Sequence, residues 1–464
     1  MKTTTFIIII ISLAISSLQA RTLNVGPASE LKTPSQAAAI AKTKDTILIQ
    51  AGTYLGDVCY WAPDSITIKG IYGFAHLEAN GKSYGQKAIW VIGGDDYTID
   101  HIEFSGCKVP DHNGAGIREE GRNLTIHRCY FHNNENGILA GADTTSFINI
   151  EFSEFAYNGN GDGYSHNVYI GKIGYLRFFG NYSHSSNIGH LLKSRANTNI
   201  IQYNLFSDNA DGKSSMHVDL PNGGFSIIIG NNFYQNEYSE NGRIITYGTE
   251  GLINPTKTLY CINNTFINKR ETCTFLYMPA GTYGIVANNL AGGVGKYQIE
   301  SKDVHDTTNL QFKNIADCKF IDVNKYEFTI QKDSPAIDAG TSFAFMSIFP
   351  MEPDKQYKNI ANITDRKLIG NIDVGAYEFV PPVSVDNSTD KNQKYRVYPN
   401  PVKDLLNIDG IDNFSTNIMI YDISGKLVKT IYPGSKMNVS DLPAGYYFLI
   451  TENDKGNCTY FIKQ

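Results

Sequence analysis

Thr258–Asn268 reads TLYCINNTFIN: apolar residues in alternation, a pair of asparagines, then an aromatic. The same order recurs in NLTIHRCYFHNN (Asn123–Asn134), FINIEFSEFAYN (Phe147–Asn158), YLRFFGNYSH (Tyr175–His184), NIIQYNLFSDN (Asn199–Asn209), SIIIGNNFYQN (Ser226–Asn236) and YGIVANNLAGG (Tyr283–Gly293). Period-2 alternation marks strands, because successive side chains point to opposite faces. Phe104, Phe131 and Phe155 give steps of 131 − 104 = 27 and 155 − 131 = 24 residues. Asn181, Asn204, Asn232, Asn264 and Asn289 give steps of 23, 28, 32 and 25. Imperfect repeats of this length are the mark of a solenoid, in which each unit buries its apolar face against its neighbours. Asparagines stacked at a turn would bond to one another and to the backbone, satisfying polar groups the turn would otherwise bury unpaired. A β-sandwich is equally strand-rich, but it needs hairpin dipeptides and shorter strand spacing. The expected fold is all-β, a parallel β-helix.

The rest of the chain frames that solenoid. Its 464 residues are ample for a large core, and a net charge of −6 argues against nucleic acid or an anionic membrane as partner. Met1–Ala20, MKTTTFIIIIISLAISSLQA, has the layout of a secretory signal peptide, with an apolar run too short to span a bilayer. No later segment could serve as a transmembrane anchor. Seven cysteines are scattered without metal-knuckle spacing. Cys107 and Cys129, 22 apart, read as stacked core residues in preference to a disulfide.

Several segments resemble known proteins. Lys32–Lys44, a short Ala-rich helix, precedes the strand DTILIQAGTY (Asp45–Tyr54) and resembles the N-terminal cap of extracellular right-handed parallel β-helix proteins. DSPAIDAG (Asp333–Gly340) and IGNIDVGAYEF (Ile369–Phe379) resemble the closing segment of bacterial β-helix proteins, which implies a β-helix domain over 21–379. Residues 380–394 have linker composition. From 395 to 464, YPNPVKDLLNI (Tyr398–Ile408), IYDISGKLV (Ile420–Val428) and LPAGYYFLI (Leu442–Ile450) closely resemble the type A sorting domain of the type IX secretion system of Bacteroidetes. That resemblance implies a small C-terminal β-sandwich, contact with the secretion machinery, and a secreted or surface location.

One polar stretch stands out. His166–Arg195 begins HNVYIG and ends HLLKSR, and SSMHVDLPNGG (Ser214–Gly224) follows. His166, His190 and His217 are 24 and 27 residues apart, about one coil each. Lys193 and Arg195, at i and i+2, should project together while Ser194 turns inward. Tyr169, Asp219, and then Tyr247 and Glu250 in ITYGTEG, should lie on neighbouring coils. Such a wall suits β-elimination of a uronate polysaccharide: Lys193 as base, Arg195 as a clamp on the carboxylate where charge develops, and His190, His217 or Tyr169 as proton donor. His166, Asp219, Tyr247 and Glu250 would bind the substrate. In fold and residue type this resembles β-helix polysaccharide lyases such as pectate, alginate and chondroitin lyases, without the full signature of any one of them. Two other classes remain open: a glycoside hydrolase using Asp219 with Glu250 or Asp162, and a glycan-binding adhesin stacking sugars on its aromatic residues. The three histidines are a candidate transition-metal set, and Asp162, Asp219 and Glu250 are candidate Ca2+ ligands.

Overall fold

In the computed structural model the described residues are 20–343, 351–381, 396–409, 417–423, 425–431, 436–451 and 454–464. All but the last residue of the expected signal peptide, and most of the expected linker, lie outside them.

Each coil carries three short strands in three parallel ladders. One ladder holds Phe147–Glu151, Tyr175–Phe179, Thr198–Gln202, Phe225–Ile229 and Thr258–Ile262. A second holds Glu154–Ala156, Tyr182–His184, Leu205–Ser207, Asn232–Gln235 and Thr265–Asn268. The third is a 10-stranded sheet that includes Val168–Ile170, Leu192–Ser194, Val218–Leu220 and Arg243–Tyr247. The chain is thus a β-helix whose sides are parallel sheets.

Inward-facing side chains stack from coil to coil. Phe104, Phe131 and Phe155 lie ring on ring at 4.9 and 5.0 Å, and the column continues through Phe178, Phe206, Phe233 and Phe266. Offset aromatic stacks of this kind add about 0.5–1.5 kcal/mol per pair beyond their burial. The six described cysteines, Cys107 and Cys129 among them, are free and buried, as the core reading expects.

The asparagine ladder exists, with Asn181, Asn204, Asn264 and Asn289 where expected and one member a residue from its expected place. Between the first two ladders the chain turns through a single left-handed residue: Gly180, Tyr203, Gly230, Asn263, Asn288 and Thr308 have φ of 51 to 67°. The residue after each is the ladder asparagine. Its backbone N–H donates to the next side-chain Oδ1 in the series Asn181, Asn204, Asn231, Asn264, Asn289, Asn309, at 2.8–3.0 Å. Asn231, and not Asn232, belongs to it. Asn232 points outward to the Tyr377 hydroxyl.

Parallel pairing ends at Phe312, short of Phe379. Phe320–Asp322 with Glu327–Ile330, and Lys355–Lys358 with Asn362–Asp365, are antiparallel hairpins. Arg366–Phe379 then runs back over the outside of the coils. Asn263 donates to Asp373 O, Gly375 N to Asn288 O, and Val374, Ala376 and Tyr377 cover Tyr182, Leu205, Tyr234 and Leu290. The Arg366–Glu378 ion pair beneath this segment is fully buried at 3.0 Å. The segment closes the fold by covering a side of the coils, and Leu310 and Phe312 of the last coil pack against the same cluster.

Helix Pro34–Ile40 buries Ala37 in the main core. The tail forms a three-stranded and a four-stranded antiparallel sheet around a cluster of its own. It also touches the coils: the Tyr446 ring stacks on Tyr175 at 3.7 Å, and the Arg177 guanidinium lies between the rings of Phe179 and Tyr460. Among the described residues no helix is long and apolar enough to cross a membrane.

Candidate functional site

The outer surface of the 10-stranded sheet carries a groove of about 830 Å3. Its floor is one row of that sheet, Arg118, Leu139, Tyr169 and Lys193, each in register with the next, and buried Asp219 continues the row. Strand alternation makes this a row, since Leu192 and Ser194 are buried while Lys193 between them faces out. Arg195, two residues on, lines the groove with His166, Tyr169, Lys193 and Glu250.

The charges are tightly engaged. Lys193 Nζ lies 3.2 Å from Asp219 Oδ2 and 3.1 Å from Glu250 Oε1. Arg195 Nη1 is 2.7 Å from Glu250 Oε2, its Nε donates to the Tyr169 hydroxyl at 2.9 Å, and Nη1 also donates to Asn222 Oδ1 at 2.8 Å. Glu250 is therefore shared by both cations, and the hydrogen bond from Arg195 holds its carboxyl below the usual range. It comes from the loop between strands Arg243–Tyr247 and Thr258–Ile262 and is 46 % exposed.

His166 and His190 stack face to face at 4.7 Å. His166 Nδ1 accepts from His190 N at 3.0 Å, and His190 Nδ1 accepts from Met216 N at 3.2 Å. Each ring is thereby the Nε2–H tautomer. Burial pushes His190 down to about 4 and His166 well below its ordinary value. At neutral pH both are uncharged hydrogen-bond donors, which does not suit His190 to the acid role expected of it.

Two expected residues are not on the wall. His217 is fully buried, with Nε2 3.2 Å from buried Asp208. The register explains it. Leu192 pairs with Val218, so His190 aligns with Met216, and His217 stands one residue off the row. A slip of one residue turns a side chain to the other face. Tyr247 is likewise interior, its hydroxyl donating to Gly224 O at 2.6 Å. Its neighbour Thr246 takes the wall position, pairing with Asp219 in register and donating to Asp219 Oδ1 at 2.7 Å. With His217 inside, the three histidines do not converge on a metal. Asp219 and Glu250 meet on the Lys193 ammonium, and the Asp162 carboxylate accepts from Tyr164 N and Asn160 Nδ2 of its own loop.

Sequence reasoning missed Thr246 and Asn222, and it missed Asp111, His112, Asn113, Arg118 and Tyr164 along the groove. Asn222 stands three residues beyond Asp219, so strand alternation from Asp219 leads to Pro221 and Gly223 and does not reach it.

Comparison with known proteins gives one family and one fold. Residues 396–463 match the family described as the secretion system C-terminal sorting domain. A tail of this kind indicates type IX secretion and a surface or secreted location. No curated protein matches the chain. Among solved structures, pectate lyase Pel9A is similar, with a TM-score of 0.54 and 14% identity over 77% of this chain and 96% of that one. At that identity the likeness is one of fold. A pectin methylesterase from Aspergillus niger (TM-score 0.30, 12% identity, 62% of this chain and 87% of that one) and the PL6 family alginate lyase AlyGC (TM-score 0.28, 14% identity, 59% and 52%) are more distant.

Proposed function

We propose that the groove binds an acidic, uronate-containing polysaccharide and cleaves it by β-elimination. The observation that carries this reading is the pair Lys193 and Arg195, side by side on the groove wall and bridged by one exposed carboxylate, Glu250. A uronate carboxylate has the charge and shape to replace Glu250 on the Arg195 fork. Electron density moves onto that carboxylate as the C5 proton leaves, and the guanidinium would stabilise the enolate-like state. Displacement of Glu250 also opens the Lys193 amine to the sugar ring, where as the base it would accept the C5 proton. The C5–H pair forms the C4=C5 double bond as the C4–O bond breaks. Tyr169 suits the donor role: its oxygen accepts from Arg195, leaving its own proton for the departing oxygen. His166 and His190 can donate Nε2–H bonds to sugar oxygens, and Asp219 with Thr246 orients Lys193.

Hydrolysis fits less well. A glycosidase needs its two carboxyls on either side of the scissile bond, whereas Asp219 and Glu250 lie on one ammonium. In the same reading the signal segment and tail take the chain out of the cell, helix Pro34–Ile40 caps the coil end, the two tail sheets form a sandwich, and the coil takes the right hand usual for parallel crossovers. A screen of acidic polysaccharides for ultraviolet-absorbing unsaturated uronides tests the function. Lys193→Ala should cost about 10²-fold or more in rate, and Arg195→Lys should also weaken activity. Full turnover in both folded variants overturns the assignment.

A further inference from the structure

A second polar cluster lies on the outside of a different ladder. His76, Glu103 and His132 come from three successive coils, in strands Thr67–Glu78, Ile102–Ser105 and Tyr130–His132. His76 pairs in register with Glu103, and His132 with Ser105, so the two imidazoles flank the carboxylate from the coils on either side. His132 Nε2 is 2.9 Å and His76 Nε2 3.6 Å from the same oxygen, Glu103 Oε1. All three donor atoms lie within 4.8 Å of one another. Ligands about 2.0–2.1 Å from a tetrahedral ion stand roughly 3.3 Å apart, and the first two separations bracket that spacing. A fourth donor atom is at hand: Ser105 Oγ is 2.7 Å from His76 Nε2. The side chains are 20–22 % exposed, enough for an ion to enter and enough packing to hold them.

A neighbouring pair shows that the arrangement is more than a repeated ion pair. Glu154 and His184 stand in the same diagonal relation as Glu103 and His132, at 3.0 Å. The position that pairs with Glu154, equivalent to His76, is Tyr130. Of the two, the His76 cluster alone has a third ligand among the described residues.

We infer that His76, Glu103 and His132 form a binding site for one divalent transition-metal ion of the Zn2+ class, joining three coils on the sheet away from the groove. Two imidazoles and one carboxylate suit Zn2+ and its neighbours rather than Ca2+ or Mg2+, which prefer oxygen. Three protein ligands leave a position for water or Ser105.

The test uses the full chain, stripped with a chelator and titrated with Co2+. One saturable equivalent with the strong visible absorption of low-coordinate Co2+, displaced by one equivalent of Zn2+, is the expected result. Zn2+ should also raise Tm, with the rise growing as the logarithm of its concentration above Kd. Loss of a ligand should weaken binding by at least the ~10- to 100-fold that an outer-shell partner is worth, so His76→Ala, His132→Ala and Glu103→Gln should each do so. His184→Ala should leave affinity unchanged. Glu103→Gln is nearly isosteric and keeps the test usable if an alanine variant fails to fold. Absence of saturable binding, or equal binding by wild type and all three variants, overturns the site.

Discussion

Glu250 is the residue whose removal separates the readings of the groove most sharply. Its carboxylate touches Lys193 at 3.1 Å and Arg195 at 2.7 Å, where an incoming uronate would sit. Half-exposed ion pairs are worth about 0.2–1 kcal/mol each, so the two contacts together oppose substrate binding by about 0.4–2 kcal/mol. At 1.4 kcal/mol per tenfold, Glu250→Ala should tighten binding of an acidic oligosaccharide by roughly 2- to 30-fold. Calorimetric titration of wild type and variant with the uronate oligosaccharide found by the screen measures it, and the gain should shrink with salt because the contacts are screened. The same variant should lower KM and leave kcat within a few-fold. A kcat loss of 10²-fold or more with folding intact would mean that Glu250 takes part in the chemistry, as in a hydrolase, and would refute its role as occupant of the clamp. Unchanged affinity would refute the placement of the carboxylate site.

Other expectations concern stability. Glu119 is buried, and burial pushes its carboxyl up to about 8. A raised acid binds its proton more tightly folded than unfolded, so stability falls as pH rises from about 4.5 towards 8; Glu119→Gln should stabilise by about 1–3 kcal/mol at pH 8 and little at pH 4.5, read as Tm at the two pH values. Asn231→Ala should cost about 2–4 kcal/mol in urea unfolding, because it strands the buried Asn204 N–H and amide and the carbonyl of Ile201. Asn232→Ala breaks one 3.3 Å bond and should cost under about 1 kcal/mol, so an equal loss in both would contradict the ladder register.

Much of this was legible in the chain because the repeat is chemical. Phe104, Phe131 and Phe155 stack where their spacing puts them, and Tyr169, Lys193 and Asp219 fall in one row. The misses have a common cause. Spacing locates a residue to within one position, and in a strand one position is a change of face. Asn231 and Asn232 are chemically identical neighbours, told apart only by the left-handed Gly230 before them. His217 is one residue beyond the row of His190. The end of the parallel coil at Phe312 was hidden for another reason: the hairpins that follow have the same alternation, and a strand's sequence does not state the direction of its partner. The far lining of the groove, from Asp111 to Arg118, lies three coils from Lys193, too remote for spacing to reach.

The ladder asparagines are separated by 204 − 181 = 23, 231 − 204 = 27, 264 − 231 = 33, 289 − 264 = 25 and 309 − 289 = 20 residues, yet their bonds stay within 2.8–3.0 Å. The variation in length is therefore taken up elsewhere on the circumference, and the 33-residue coil takes it up partly in the loop that delivers Glu250. Insertions and deletions at that corner can be accepted without disturbing the corner that the asparagines hold. A lineage of such proteins can thus exchange its ligand-facing loops by changes in length, and chimaeras that swap the loop between Tyr247 and Thr258 should fold with near-parental stability where they keep Asn254, whose buried amide donates to Ala196 O and Gly223 O.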